Sequence, residues 1–136
     1  MRRRLIIVSN RVPNPLDKQP RSGGLAVALE EALKSNDAIW FGWTGVISEA
    51  VETKPQLLTK RNVTFARLNL TRDEHARYYR GFANSCMFPL LLYRADLMTY
   101  RRDDHRGYLA VCDRFAKVLK PMIQAGDLIW VHDNHL

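Results

Sequence analysis

The sequence has little cysteine and no long apolar run. Its only two cysteines, Cys86 and Cys112, sit in apolar or helical surroundings without a pairing motif. This argues against a disulfide-built scaffold and suits a reducing compartment, where a free thiol behaves as a small hydrophobe. After the basic start MRRR, the apolar stretch lasts only from Leu5 to Val8 before Ser9, Asn10 and Arg11 interrupt it. A secretion signal needs roughly 7–15 such residues. The other apolar run, Met87 to Tyr93, contains Pro89 and falls far short of the ~20 residues that cross a bilayer. A cytoplasmic protein without membrane contact is expected. Also missing are GxGxxG and GxxxxGK[ST], the glycine signatures of dinucleotide and P-loop sites. There is no internal repeat, no low-complexity segment and no RNA- or DNA-binding motif. His132 and His135 lack a third ligand nearby, so no metal is expected.

What is present is ordinary in bulk and uneven in charge. With 136 residues, 46% of them hydrophobic and 26% charged, the chain has the size of one domain or half a larger one, with enough apolar residues for a core. The net charge of +7 favours acidic partners, which include phosphorylated metabolites, nucleic acid and anionic membranes alike. The arginines at 2–4, 101, 102 and 106 are spread along the chain and read as solvated surface charge. That spread counts against a nucleic-acid partner.

Leu5-Ile6-Ile7-Val8 is a continuous, partly β-branched run that suits a strand covered on both faces. Leu25, Val27, Ala28, Leu29, Ala32 and Leu33 follow at helical spacing, ending near Lys34. Ala38–Trp43 and Val63–Leu70 read as further strands, with 45–61 as a loop holding short or irregular structure. Thr71-Arg72-Asp73-Glu74 matches a capping box, opening a helix expected to reach about Asn84 and limited by Pro89. Asp103 or Asp104 is expected to cap a helix carrying Tyr108, Val111, Phe115, Val118 and Leu119. Leu128–His132 is expected to be a final buried strand. Strands alternating with helices predict a layered α/β fold with a mainly parallel sheet and flanking helices. His132–Leu136 stands where a helix would normally return, so the parallel unit reads as incomplete.

In open α/β sheets, ligands bind outside the carboxyl ends of the strands. Two such ends carry polar groups here: Ser9-Asn10-Arg11 and His132-Asp133-Asn134-His135. Arg11 offers a planar cationic fork for phosphate oxygens, or a partner for a salt bridge. Asp133 suits a general base or a holder of sugar hydroxyls, or a helix cap. Ser22-Gly23-Gly24 opens a helix whose free N–H groups suit a phosphate, unless it is a plain turn and cap. Of Tyr78 and Tyr79, at least one is expected in the core. Trp40 and Trp43 read as core residues facing the same side.

The segments SNR at 9–11, SGGLAVAL at 22–29, WFGWTG at 40–45, YYRGFAN at 78–84, FPLLLYR at 88–94 and WVHDNHL at 130–136 occur in a telling order. So arranged, the sequence resembles the start of the trehalose-6-phosphate synthases. These are retaining, metal-independent glycosyltransferases in which two Rossmann-like domains face a cleft, the architecture called GT-B. The resemblance implies that 1–136 is a partial N-terminal, acceptor-binding domain, with the C-terminal nucleotide-sugar domain outside it. It implies transfer of glucose from UDP-glucose to glucose 6-phosphate, with retained configuration, no protein nucleophile and no cofactor. Catalysis would then rest on positioning and on neutralising the departing diphosphate.

By the same resemblance, Arg11 grips the acceptor phosphate and Tyr79 touches the acceptor phosphate or sugar. Asp133 is the catalytic-site carboxylate that holds acceptor hydroxyls near the reacting carbon. Gly24, with Gly23 beside it, lies against the donor, and the loop between Arg11 and Ser22 is mobile cover. Phe88 stands where the family commonly has tryptophan, and Asn134 where it has tyrosine. The first change removes an indole N–H beside the acceptor. The isolated chain is expected to be inactive, because the family's donor-binding residues lie outside it. The alternatives are a non-catalytic phosphate-sugar-binding or regulatory partner of a full synthase, and a fragment like the glucosylglycerol-phosphate synthases. A homo-oligomer of the full-length enzyme is left open.

Overall fold

The structure is a computed structural model that describes residues 3–18 and 24–136. Among these, five strands form one sheet: β1 (Leu5–Arg11), β2 (Ala38–Ser48), β3 (Gln56–Lys60), β4 (Val63–Thr71) and β5 (Leu128–Val131). Their order across the sheet is β3-β4-β2-β1-β5. β1, β2, β4 and β5 run parallel, and β3 is antiparallel to β4. Helix α1 (Gly24–Leu33) connects β1 to β2. Between β4 and β5 lie α2 (Arg72–Glu74), a π-helix (His75–Met87), α3 (Phe88–Leu91) and α4 (Arg102–Leu119).

The continuous apolar reading of β1 has a direct cause. Ile6 and Val8 face a cluster with Phe41, Leu68, Tyr78 and Phe115, covered by the π-helix and α4. Ile7 faces the other cluster, with Trp40, Phe65 and the α1 residues Leu29 and Leu33. A strand buried on both sides leaves no polar position to alternate with. Each side chain of this size taken fully out of water stabilises the fold by about 1.5–3 kcal/mol.

Several details differ from the sequence reading. Trp40 and Trp43 are three positions apart in a period-two strand, so they face opposite sides and enter different clusters. The region 45–61 is more ordered than expected: β2 continues to Ser48, and β3 forms an edge strand whose mainly exposed residues show no clear alternation. Val12 and Pro15 are buried, Asn14 closes a turn with Asp17, and Lys60 Nζ donates to the Pro15 carbonyl at 2.9 Å. The first half of the loop after Arg11 is therefore pinned rather than mobile, while 19–23 lie outside the described residues. β5 is exposed along its length rather than buried.

The capping box is formed as read: Glu74 N donates to Thr71 Oγ1, and Thr71 N to Glu74 Oε2. The helix it opens then widens into the π-helix, in which Phe88 N–H reaches back five residues to the Ala83 carbonyl. Pro89 does not end the helical run, because it falls in the first turn of α3, where a missing N–H costs least. The N-cap of α4 is Arg101. Asp103 and Asp104 sit instead in its first turn, where negative charge suits the helix start.

Candidate functional site

The site forms where the parallel strands end, and a single backbone irregularity aims its principal cation. In β1, Ser9 pairs with Gly42 and Arg11 with Trp43, so Asn10 is an extra residue on the β1 side. Simple alternation would send Arg11 to the α1 face with Ile7 and Ser9. The bulge turns it to the face of Trp43 instead. Ser9 and Asn10 are spent on anchoring. Ser9 Oγ accepts from Trp40 Nε1 at 2.8 Å and donates to the Arg11 carbonyl at 2.9 Å. Asn10 Oδ1 accepts from the Tyr78 hydroxyl at 2.7 Å, tying this buried residue of the π-helix to β1. Gly42 is required there, since a Cβ would stand 2.1 Å from the Ser9 carbonyl oxygen.

Arg11 itself is exposed, and its guanidinium makes no hydrogen bond or ion pair among the described residues. It lies 6.0 Å from the centre of the Trp43 ring, a cation–π arrangement. It also lies against Gly45, where a Cβ would come within 2.7 Å of a guanidinium nitrogen. Gly45 also has φ +91, in the left-handed region that favours glycine. The salt bridge weighed from sequence is absent among the described residues, so the fork's donors are free for an oxyanion.

Trp43 starts an aromatic stack across this edge. Its ring lies 5.2 Å from His75 and 5.9 Å from Tyr79. Tyr79 stacks between His75 at 5.3 Å and His135 at 5.4 Å. Tyr78, one residue earlier, is fully buried, and burial drives its hydroxyl pKa far up. At least one of the two tyrosines is therefore in the core, as expected, while Tyr79 is partly buried in the ring stack. Burial lowers the pKa of both rings flanking Tyr79. For His75 the Arg80 charge adds to this; for His135, Asp133 opposes it and His132 reinforces it. Neutral imidazoles are what this stack holds near neutral pH.

Asp133 follows β5 with φ +72, an uncommon conformation for a residue with a Cβ. Its Oδ1 accepts from the Asn134 N–H at 2.7 Å, and its half-exposed Oδ2 lies 3.8 Å from His135 Nδ1. That distance is too long for a hydrogen bond, and His135 Nδ1 is buried without a partner. Asn134 Nδ2 reaches the Ala83 carbonyl of the π-helix at 3.5 Å.

Of the sequence candidates, the structure brings Arg11, Tyr79 and Asp133 to one edge, linked by Trp43 and His135. Phe88 stands half-exposed at the start of α3, and among the described residues no ring contact joins it to this stack. Gly24 is the first residue of α1, and Gly23 lies outside the described residues. Trp43, His75 and Gly45 were missed as site residues, and His135 was weighed only within the polar run after β5 and as a metal ligand. The one available signal was Trp43, whose odd spacing from Trp40 separates the two rings. Among the described residues no three His, Cys, Asp or Glu side chains are grouped to hold a metal. No helix among them is long and apolar enough to cross a membrane.

The fold and the polar residues at its strand ends define a class: the Rossmann-like N-terminal portion of a two-domain glycosyltransferase. The chain belongs to glycosyltransferase family 20, whose model matches residues 3–136. It is similar to the trehalose-6-phosphate synthase of Enterobacter sp. strain 638, at 42% identity over 134 residues. That match takes in 98% of this chain and 28% of the relative. The crystal structure of an α,α-trehalose-phosphate synthase (UDP-forming) from Burkholderia vietnamiensis matches with a TM-score of 0.92 and 44% identity, covering 99% of this chain and 29% of that one. A Burkholderia xenovorans synthase of the same description, in complex with glucose 6-phosphate, matches with a TM-score of 0.83 and 43% identity. There the coverage is 96% and 28%. The chain thus spans under a third of the length of these relatives.

Proposed function

We propose that these residues are part of the N-terminal, acceptor-binding domain of a UDP-forming trehalose-6-phosphate synthase acting in trehalose biosynthesis. The nucleotide-sugar domain lies outside residues 1–136, and the cytoplasm is the compartment this reading implies. The observation that carries it is the unpaired Arg11 guanidinium, close to both Trp43 and Gly45 on the edge shared with Tyr79 and Asp133. A fixed cation beside a stacked tyrosine and a carboxylate suits a sugar phosphate: the fork takes the phosphate, and the carboxylate takes ring hydroxyls. Arg11 and Tyr79 hold the acceptor, Asp133 orients its reacting hydroxyl, and Gly23 and Gly24 admit the donor. Phe88 borders the acceptor without offering it a hydrogen-bond donor. The reaction is glucosyl transfer from UDP-glucose to glucose 6-phosphate, and the basic groups that neutralise departing UDP come from the second domain.

The test is UDP release from UDP-glucose with glucose 6-phosphate as acceptor. It is run on this chain and on a chimera joining residues 3–136 to the remainder of the Burkholderia vietnamiensis relative. The chain alone is expected to release no UDP. The chimera is expected to turn over, with a KM for glucose 6-phosphate that rises at least ~tenfold on Arg11→Ala, the equivalent of one lost charge-assisted contact. A folded chimera without activity, or one indifferent to Arg11→Ala, refutes the assignment. Saturable glucose 6-phosphate binding with no turnover favours the non-catalytic, regulatory reading.

A further inference from the structure

In the stack that crosses the site edge, His135 has a nitrogen that stacking does not need. Its ring lies against Tyr79 at 5.4 Å with an interplanar angle of 23°. A phenylalanine would serve that contact equally well and would bury no polar atom. His135 instead buries Nδ1, which has no hydrogen-bond partner among the described residues. A hydrogen bond left unmade in this way is costly. The Asp133 carboxylate stands before that nitrogen, with Oδ2 3.8 Å from Nδ1. The gap is about 1 Å longer than a charge-assisted N–H···O bond.

Asp133 is able to close it. Its Oδ1 is committed to the Asn134 N–H at 2.7 Å, and the backbone holds the residue at φ +72. What stays soft is rotation of the carboxylate about its last bond, a broad torsion without sharp wells. The side chain is half-exposed. A ligand hydroxyl can therefore reach Oδ2 from the solvent side while the imidazole reaches it from the protein side.

Building on the acceptor reading of Arg11, Tyr79 and Asp133, we propose that His135 is a positioning residue for Asp133. Its Nδ1–H closes onto Oδ2 and leaves a defined lone pair of that oxygen for the reacting hydroxyl of the acceptor. The same ring backs Tyr79, so one side chain serves both ends of a sugar phosphate. Its face steadies the tyrosine, and its edge steadies the carboxylate. The two services separate in kinetics. Loss of the face weakens acceptor binding and shows in KM, whereas loss of Nδ1–H misdirects the hydroxyl and shows in kcat.

The pairing is tested in the 136-residue chain, labelled with 15N at its four histidines. Near neutral pH the imidazole 15N shifts report which ring nitrogen carries the proton, and the signal lost in His135→Phe identifies His135. Its Nδ1 is expected to be protonated. Asp133→Gly, which suits the positive φ, is expected to return the ring to the Nε2–H form that solvated histidine prefers. The positioning is tested by UDP release in the chimera. His135→Ala is expected to lower kcat at least ~tenfold, the loss of one hydrogen bond to a charged group. It is also expected to raise the KM for glucose 6-phosphate about threefold, the loss of one ring stack. His135→Asn, whose amide N–H falls where Nδ1–H was, is expected to recover kcat but not KM; His135→Phe is expected to recover KM but not kcat. An unprotonated Nδ1, or a proton that stays on Nδ1 in Asp133→Gly, overturns the pairing. Equal kcat in His135→Asn and His135→Phe overturns the positioning. A folded parent chimera without turnover refutes the acceptor reading and the kinetic consequence with it, while the tautomer still decides the pairing.

Discussion

Arg114, on α4, and Arg11, at the end of β1, carry the same guanidinium and meet very different surroundings. Arg114 is mostly buried and fully engaged. It takes both carboxylate oxygens of Glu74 at 2.9 and 2.8 Å, the Glu52 carbonyl at 2.7 Å and the Asn69 carbonyl at 3.1 Å. Glu52 in turn accepts from the Asn69 backbone and side-chain amides, and Glu74 closes the capping box. One cation thus binds α4, the helix start and the segment after β2 into a single unit. Arg11 rests against Trp43 and Gly45, yet its donors are left open. A charge that serves the fold is surrounded by acceptors; the Arg11 guanidinium is oriented and left unsatisfied, as its proposed phosphate-binding role requires.

The contrast can be broken most severely at Arg114. Arg114→Ala leaves Glu74 partly buried and unpaired, and removing one partner of such a pair costs about 3–5 kcal/mol. A urea melt should show the midpoint falling by that equivalent at unchanged slope; a loss under 1 kcal/mol would mean that the network contributes little. Gly45→Ala comes next. It forces a Cβ into positive φ and against the Arg11 guanidinium, at a cost of roughly 1–3 kcal/mol, and it should weaken glucose 6-phosphate binding in the chimera. A variant that loses stability but keeps its affinity would show that Arg11 is not held by this support.

Acidification sharpens the comparison from another direction. In the folded chain His75 and His135 sit below their ordinary pKa of 6.5, so the unfolded chain takes up these protons first. Their contribution to stability is complete above about pH 6.5 and is lost as pH falls through that value towards the lower folded values. Thermal melts at pH 7.5, 6.0 and 5.0 should show a falling Tm, with a smaller fall in His135→Gln. An equal slope in that variant would place the titration elsewhere. The smallest expected change in stability is Arg11→Ala, within about 0.5 kcal/mol, beside the largest loss of acceptor affinity. A large drop in Tm would make Arg11 a structural residue after all.

How much of this was legible depended on whether a residue's neighbours in sequence are also its neighbours in space. Leu5–Val8, the Thr71–Glu74 box and the α4 pattern carry local rules, and the structure follows them. β3 was missed because an edge strand with a single partner buries little, and Gln56–Lys60 shows almost no alternation. The π-helix left no mark that an ordinary helical period would not also leave. Arg11 was found as a candidate, but the bulge at Asn10 that turns it towards Trp43 depends on how β1 aligns with β2. The reach of Arg114 to Glu52 spans 62 positions, and no local pattern predicts it. Trp43 was placed in the core, and it is there; what the sequence did not reveal is that one face of its ring also supports the cation.

The open side of β5 sets the working life of a sample of this chain. Leu128, Ile129, Trp130 and Val131 are apolar, uncharged, free of proline and about half-exposed. On the side away from β1 no strand among the described residues takes up their backbone groups. An open apolar edge of this kind recruits further strands, its own copies included. Turbidity should therefore grow with protein concentration and standing time, even while the core of each molecule remains intact.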